Sequence, residues 1–534
     1  MKDYTKKQKI LIVLGVSLFI LIGSGLTYAG LMWATSNPIN IGLTSGCFEI
    51  NYTPGGAINN ANVEVMNEST LISNNKFTIT DGIALTYANI GIKSTCSIEG
   101  YGSLYLNVTN LSNAFSTGSS KGSLKYAILN NTSSSTTLTV AGLKGQSFDI
   151  VKTGTITSTG TINILNKQLS NSTQNKYLIV FYIDGSKIGN DVIGASFAGN
   201  ISADAHQGKV PYEGLAKLIA NDTFKSTKTV TLNSVNYKYD DTHKLMEDTA
   251  GNIRYYGASP NNYIYFNCSD YSNQSSSTCE TWRIIGVFDK KVKIMRGSQI
   301  GGYSWDTSDS STNSGNGVNE WSQADLMKLL NSGYETESVG GSLYWNAKTG
   351  TCYNGKSNDK TSCNFTSTGL KNDTTRNMIT ETTYYTRGHN TSNIYVNAMY
   401  DKERVSGTVI TGVTPTRTLT WTGKVAIPYP SDYGYAADLS LCQKQLGSYN
   451  DATCTANNWM KNIITNNGSA SGWLLTPSSN LAYYSRDVYS SGEVDNLGIN
   501  ASAANGVAPV LSLTSELDIG SGSGTSSSPY QLSV

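Results

Sequence analysis

The sequence predicts a mainly β protein with minor α: one N-terminal transmembrane helix, then an antiparallel β-sandwich, then an α+β domain. Three observations lead there. Ile10 to Ala34 holds no charged residue, and a helix of about 20 apolar residues crosses a bilayer. Charged residues make up only 14% of the 534, against 52 Gly and 33 Tyr. That balance suits a β-rich exported protein whose surface is solvated by hydroxyls and amides. All eight cysteines follow the apolar run, and outside the cytoplasm paired cysteines persist as disulfides.

Lys2, Lys6, Lys7 and Lys9 precede the run, with only Asp3 against them. Positive charge ahead of an apolar segment holds that end in the cytoplasm and sends the rest outward. Residues 1–35 therefore read as a cytoplasmic Lys-rich tip plus a transmembrane anchor or signal segment. Two readings compete: cleavage after Thr27-Tyr28-Ala29, or retention, which the length of the run favours. The expected location is the cell membrane, single-pass, N-terminus inside and C-terminus outside, or secreted if the leader is cleaved. The end of the chain, Ser-Pro-Tyr-Gln-Leu-Ser-Val, has no apolar tail for a second anchor. Net charge is +1, and losing the first nine residues (four Lys, one Asp) leaves −2. Neither value supplies the basic face that nucleic acid needs.

A composition shift divides the exported part. All eight Arg lie at Arg254 or later, as do seven of the eight Trp. The reading is a sandwich over 36–207, a linker with a short helix over 208–247, and a disulfide-stapled α+β domain over 248–534. In the first part Leu104, Leu106 and Val108 share one strand face, and Leu124, Tyr126 and Ile128 another. Tyr177 to Ile183 is apolar on both faces, as a central strand would be. In the linker, Leu215, Leu218 and Ile219 fall at helical spacing after Pro211, and the stretch from Asp240 to Asn252 is polar and turn-rich.

The last part alternates strands and short helices. Asn262 to Phe266 and Thr281 to Val287 read as strands, and Val292, Ile294 and Met295 continue the meander. Ser322 with Asp325 forms a Ser-x-x-Asp capping box, and Trp321 with Leu326 a hydrophobic staple, so the spacing predicts a helix over 323–331. Further helices are expected at 374–381, 438–446 and 458–464. Strands return at Gly472 to Leu475, Arg486 to Tyr489 and Val507 to Leu513. Cysteine spacing suggests neighbour pairing: Cys47–Cys96, Cys268–Cys279, Cys352–Cys363 and Cys442–Cys454. Zinc is a poor fit, because no C-x-x-C occurs and there are three His.

Two resemblances attach to these residues. The N-terminal apolar segment with Phe181-Tyr182-Ile183-Asp184 and Asn190-Asp191 resembles the secreted Ig-like subunits of Gram-positive matrix fibres, of the TasA and camelysin kind. Trp282-Arg283-Ile284-Ile285, the Trp321 helix ending Leu329-Leu330-Asn331, Gly472-Trp473-Leu474-Leu475 and Gly506-Val507-x-Pro509 recur in that order in uncharacterised exported modules of gut Gram-positive bacteria. Those modules look related to the C-type-lectin-like fold shared with formylglycine-generating-enzyme domains. The resemblance implies an Ig-like sandwich followed by a C-type-lectin-like domain. The chain departs from the pattern after the Trp-Leu pair, where it has Leu475-Thr476, and at Ala508; the family tends to have Arg at both places.

Candidate chemistry is sparse. Trp305, Trp345, Tyr303 and Tyr344 sit beside Gly-rich polar loops and are candidate sugar-stacking platforms, whereas Trp282, Trp321 and Trp473 read as core. Asp306, Asp309, Asn316 and Glu320 are a possible calcium set, rich in oxygen but not spaced as an EF-hand; no other cofactor is expected. Gly118-Ser119-Ser120-Lys121-Gly122 matches G-x-S-x-G but lacks the strand and helix that motif needs. His389 with Asp401 or Glu403 is the one conceivable acid–base pair, and catalysis is not expected. The expected role is recognition or adhesion at the bacterial surface: membrane contact through the N-terminal helix, and a glycan, host or matrix ligand on the last domain. The alternatives are a structural subunit of a surface or matrix fibre and, third, a secreted enzyme.

Overall fold

The computed structural model describes residues 48–533 apart from 62, 74, 95–99, 136, 170–173, 208–213, 309–314, 496–497 and 516. The apolar run, the Cys47–Cys96 pair and Asp309 lie outside the described residues. Among those described, no helix is long and apolar enough to cross a membrane. The protein is mainly β, 39% strand and 17% helix, in several antiparallel sheets. It divides into two compact units, the boundary falling between 211 and 212.

Among the described residues the first unit holds twelve strands: β1 (Phe48–Pro54), β2 (Ile58–Ala61), β3 (Val65–Met66), β4 (Ile72–Ser73), β5 (Lys76–Thr78), β6 (Ala84–Ser94), β7 (Gly100–Leu111), β8 (Leu124–Asn130), β9 (Ser147–Thr155), β10 (Gly160–Leu169), β11 (Gln174–Asp184) and β12 (Phe197–Gln207). One sheet runs β1-β6-β11-β8-β9-β5-β4 with β3 beside β11, and the other β10-β7-β12-β2. β11 is antiparallel to both β6 and β8. Its Tyr177, Ile179, Phe181 and Ile183 enter one core with Leu104, Leu106, Val108, Leu124, Tyr126 and Ile128. Its Leu178, Val180 and Tyr182 enter a second core on the opposite face with Phe77, Leu129 and Phe148. The continuous apolar run follows from both faces being covered, since a strand with one wet face would alternate.

The G-x-S-x-G stretch is a turn. Ser120 Oγ donates to Asp191 Oδ1 at 2.6 Å, and Ser119 N to Asp191 Oδ2 at 2.7 Å. Both serine contacts go to a carboxylate that ties two loops together.

Residues 214–247 are not a linker. The expected short helix is there, Gly214–Lys217 running on into Leu218–Thr223 and burying Leu215, Ala216 and Ile219, and β13 (Lys228–Leu232), β14 (Val235–Asp240) and β15 (Leu245–Glu247) begin a sheet that has ten strands among the described residues. Val230, Leu232, Tyr237 and Tyr239 are buried at alternate positions. Asn233 and Ser234, at φ 48° and 64°, supply the left-handed two-residue turn that hairpins favour. The polar stretch read as a connector is thus a set of tight turns. The sheet continues through β16 (Ile253–Tyr255), β18 (Glu280–Phe288) and β19 (Lys291–Arg296) to Val510–Leu513 and Ile379–Thr380, with β17 (Tyr263–Phe266) also on β18. Gly286 lies in a bulge of β18, and a Cβ there would sit 2.2 Å from the Ile253 carbonyl oxygen. A second sheet is built from Gly302–Ser304, Ala504–Gly506, Gly472–Pro477, Tyr484–Val488 and Ile499–Asn500.

Both faces of the long sheet are covered. Trp282, Ile284, Val292 and Ile294 pack with Leu326, Leu329 and Leu330 of the helix Asp325–Leu330. Ile285 and Met295 pack on the other side with Tyr433 and Tyr435 of the helix Pro430–Tyr435. The 323–331 helix therefore exists, but its expected capping box does not. Ala324 is the N-cap, Ser322 N donates to Glu320 Oε1 at 3.0 Å, and Asp325 Oδ2 accepts from Thr307 N at 2.9 Å. Glu320 caps a preceding 3₁₀ turn, Trp321–Gln323, so the chain enters the helix two residues later than the motif implies. The helix expected at 374–381 is Asp373–Asn377, and that at 458–464 is Lys461–Ile464. None covers 438–446, where Asp438 instead accepts from Ser440 N at 3.0 Å in a turn. Val396–Asp401 and Pro430–Tyr435 were not expected.

Cys268–Cys279, Cys352–Cys363 and Cys442–Cys454 are disulfides, as the spacing suggested. Cys442 and Cys454 are buried with Tyr433, Tyr435 and Tyr449 in the core on the Ile285 side of the long sheet. Replacing both by Ser should lower unfolding stability by about 2–4 kcal/mol, through loop entropy regained by the unfolded chain. Urea denaturation of the double variant measures it, and an unchanged midpoint would mean that the loop is held by packing alone.

Candidate functional site

β17 and β18 pair with Tyr263 opposite Arg283, and β18 and β19 with Trp282 opposite Arg296. Residues of this three-stranded corner line a cleft of about 430 Å³, among them Tyr263, Glu280, Thr281, Arg283, Arg296 and Ser298. Two guanidinium groups reach it, and they differ in what balances them. Arg296 is paired: its Nε lies 3.0 Å from Glu280 Oε2, and Nη1 donates to Ser298 Oγ at 2.7 Å. Glu280 Oε2 also accepts from Trp282 Nε1 at 3.0 Å, which fixes the carboxylate against the core.

Arg283 has no carboxylate within ion-pair distance among the described residues. Its ring-like fork is instead sandwiched, 3.7 Å from the centroid of Tyr263 and 4.9 Å from that of Trp459. Nε donates to Asn262 Oδ1 at 2.6 Å and one Nη to the Pro260 carbonyl at 3.5 Å. Asn262 is held in turn by donating to the Ile284 carbonyl at 2.7 Å. Arg283 is only 7% exposed. Burial pulls its pKa down to about 10, with Tyr263 acting slightly the other way, so it remains cationic at neutral pH. A guanidinium removed from water without an anion is held at a cost that an anionic ligand would relieve. Its planar fork suits a carboxylate bound through two parallel hydrogen bonds.

The expected sugar platforms are elsewhere and mostly inaccessible. Trp305 and Tyr344 are 0% exposed and Trp345 6%, all within the larger core. Trp305 packs edge-on to Trp321 and Trp473. Tyr303 is half-buried against Phe365. These four are core or core-edge residues, and no sugar ring can stack on Trp305 or Tyr344. Trp282, Trp321 and Trp473 are core as read. The sequence alone could not separate the two groups, because a Gly-rich loop beside an aromatic residue can lie over a core as readily as over water.

Of the calcium candidates, Asp306 and Glu320 are engaged in loop structure, and the Asn316 side-chain oxygen is buried with no hydrogen-bond partner among the described residues. Asp306 accepts from Ser308 N at 2.8 Å and Val318 N at 2.9 Å. Burial, with Asp325 nearby, lifts its pKa to about 6. Glu320 accepts from Ser322 and, at 2.8 Å on each oxygen, from Thr418 N and Oγ1. Asn316 is half-buried beside Ser502, whose N–H reaches its backbone carbonyl at 3.1 Å. Among the described residues no group of three or more His, Cys, Asp or Glu is arranged to hold a metal ion.

The acid–base pair does not assemble. Glu403 is fully buried against Arg404 and Ser431, and Asp401 accepts from Ser406. Burial and then the cations Lys402 and Arg486 lower the His389 pKa, with no carboxylate among the causes.

Arg283 was legible only as part of the Trp-Arg-Ile-Ile motif. A cation at the alternate strand position between two inward apolar residues was the available signal. Tyr263 and Trp459, 196 positions apart by number, gave none. No protein-family model matches this chain, and no curated protein matches it.

Proposed function

We propose that this chain is a bacterial cell-surface protein that recognises an anionic ligand through its second unit, anchored by the apolar segment Ile10–Ala34. The observation that carries the reading is Arg283: a buried guanidinium without a counter-ion among the described residues, held against Tyr263 and Trp459, at the wall of a 430 Å³ cleft. The ligand class that fits is a carboxylate-bearing glycan or an acidic peptide end. The carboxylate would take the free edge of Arg283, and the Tyr263 and Thr281 hydroxyls the neutral polar groups beside it. The motif order around Trp282, Trp321 and Trp473 supports a C-type-lectin-like fold for this unit, and the two face-covered sheets of the first unit support an Ig-like stalk.

The test is binding of the exported chain to matched acidic and neutral glycans. Retention of the acidic members, lost at least about tenfold in Arg283→Ala and partly kept in Arg283→Lys, is the expected result, since one charge-assisted pair contributes about 1.5–3 kcal/mol. Equal retention by wild type and Arg283→Ala would end this reading.

One observation favours the fibre alternative. Among the described residues β10, ten residues long, pairs only with β7 and so presents an open edge. Edges of that length accept another strand. Concentration-dependent filaments that form without ligand, and that a proline at an outward position of β10 abolishes, would support it.

A further inference from the structure

Beneath the helix Pro430–Tyr435 lies a cluster of three cations and three carboxylates. Arg254 Nε is 2.6 Å from Asp248 Oδ2, and its Nη1 is 3.1 Å from Asp432 Oδ1. Arg404 is in contact with Glu403. Lys293, from β19, has its Nζ in direct contact with Asp432 Oδ2. The side chains of Arg254, Asp248, Asp432 and Glu403 are 1% exposed or less, and that of Lys293 is 6% exposed. Aromatic rings enclose the amine, Tyr429 at 4.8 Å and Phe288 at 5.3 Å.

Each arginine has a carboxylate of its own, Asp248 for Arg254 and Glu403 for Arg404. Lys293 and Asp432 are the remaining pair, and they are the only amine and carboxylate of the cluster that touch. A buried ion pair of this kind is under a standing penalty, because both charges have left water. Loss of one water between them removes both charges and leaves the other two pairs balanced.

We infer that Lys293 and Asp432 join in an intramolecular amide, a covalent cross-link between β19 and the helix Pro430–Tyr435. The step balances within the pair. The ammonium passes a proton to Oδ2, its contact, giving a neutral amine and acid. The Nζ lone pair attacks Cγ, and the C–N bond forms. Negative charge develops on Oδ1, where Arg254 Nη1 already donates. The Cγ–Oδ2 bond breaks, and Oδ2 leaves as water with two protons that began on Nζ. Tyr429 N–H, 3.1 Å from Oδ2, steadies the leaving oxygen. No oxidant, reductant or cofactor takes part.

Burial acts on the amine: desolvation lowers the Lys293 pKa, Asp432 opposes, and the nearby Arg404 and Arg254 add to the lowering. Against burial, the three cations Lys293, Arg254 and Arg404 hold the Asp432 carboxyl down at about 2, so the proton transfer to Oδ2 is the uphill part of the step. The first unit holds an internal contrast. Lys125 lies 2.8 Å from both Asp184 and Glu68, but Glu68 is 34% exposed. There burial is outweighed by the hydrogen bonds that Lys125 donates to the two carboxylates, which hold its pKa up. That amine stays an ammonium, and it forms no amide.

The experiment is peptide mapping of the full chain after reduction and alkylation. The expected result is a branched species joining the Lys293 and Asp432 peptides, lighter than their sum by the mass of one water. It should be absent from Lys293→Arg, which keeps the cation and the ion pair. Lys125 should appear only in linear peptides. Recovery of the wild-type Lys293 peptide as a linear species with a free amine overturns the proposal. So does a water-mass deficit that persists in Lys293→Arg or maps to an Asp-Gly dehydration. The wild-type reading needs no variant to fold.

Discussion

Replacing Asp432 by alanine is expected to lower the stability of the second unit by about 3–5 kcal/mol, the cost of leaving buried charge without its partner. The carboxylate serves three groups at once. It pairs with Arg254 and Lys293, and through Oδ2 it accepts from Tyr429 N to cap the helix Pro430–Tyr435. All three donors lose their acceptor together. Arg254 keeps Asp248, but Lys293 has no second carboxylate within ion-pair distance among the described residues. Where Lys293 and Asp432 are joined, the variant loses the cross-link in place of the ion pair and leaves Lys293 as a lone buried amine. The measurement is the urea midpoint against that of Asp149→Ala. Asp149 also pairs with a lysine, Lys76 at 2.8 Å, but the two side chains are 55% and 52% exposed. An exposed pair contributes about 0–1 kcal/mol. Similar losses in the two variants would mean that the buried cluster is no more than a solvated pair.

Asp487 is expected to make the second unit less stable as pH rises. The residue is fully buried on Tyr484–Val488. One oxygen accepts from Asn505 Nδ2 at 2.9 Å, and the other has no hydrogen-bond partner. Burial, with Asp495 nearby, raises its pKa to about 8, against the smaller opposing effects of Asn505 and Arg486. The unfolded chain titrates this group near the ordinary carboxylate value of about 3.9. Between those values the folded state holds a proton that the unfolded state has released. The contribution is therefore complete below about pH 4 and is lost as pH climbs to about 8, at up to about 1.4 kcal/mol per pH unit. Asp487→Asn removes the titration and keeps the shape. The expected result is a stability difference, variant minus wild type, that grows from pH 4 to pH 8 and then levels. A difference that stays flat across that range would show that Asp487 titrates normally.

The two strongest residues of the candidate cleft and of the ionic cluster looked ordinary along the chain. In Lys291-Val292-Lys293-Ile294-Met295, alternation marks Val292 and Ile294 as inward and Lys293 as facing water. The alternation is real, but the second face is roofed by the 430–435 helix and the Trp459 region, so the outward side is also interior. Arg283 follows the same logic on the neighbouring strand. Periodicity reports which residues share a face; it does not report whether a second layer covers that face. The same gap misread Trp305 and Tyr344, and it made a linker of β13 to β15, whose hairpin turns looked like connector sequence.

The sequence by itself determined the mainly β character, the central strand at Tyr177–Ile183, a helix within 323–331 and three disulfides, because each rests on neighbours a few residues apart. Local spacing of apolar side chains and the short reach between cysteines suffice for those. Only the tertiary structure decided which tryptophans are sealed, where Arg283 lacks an anion, and that Lys293 meets Asp432 from 139 positions away. Those outcomes depend on which distant surfaces exclude water from a charge, and desolvation is a property of the assembled layers.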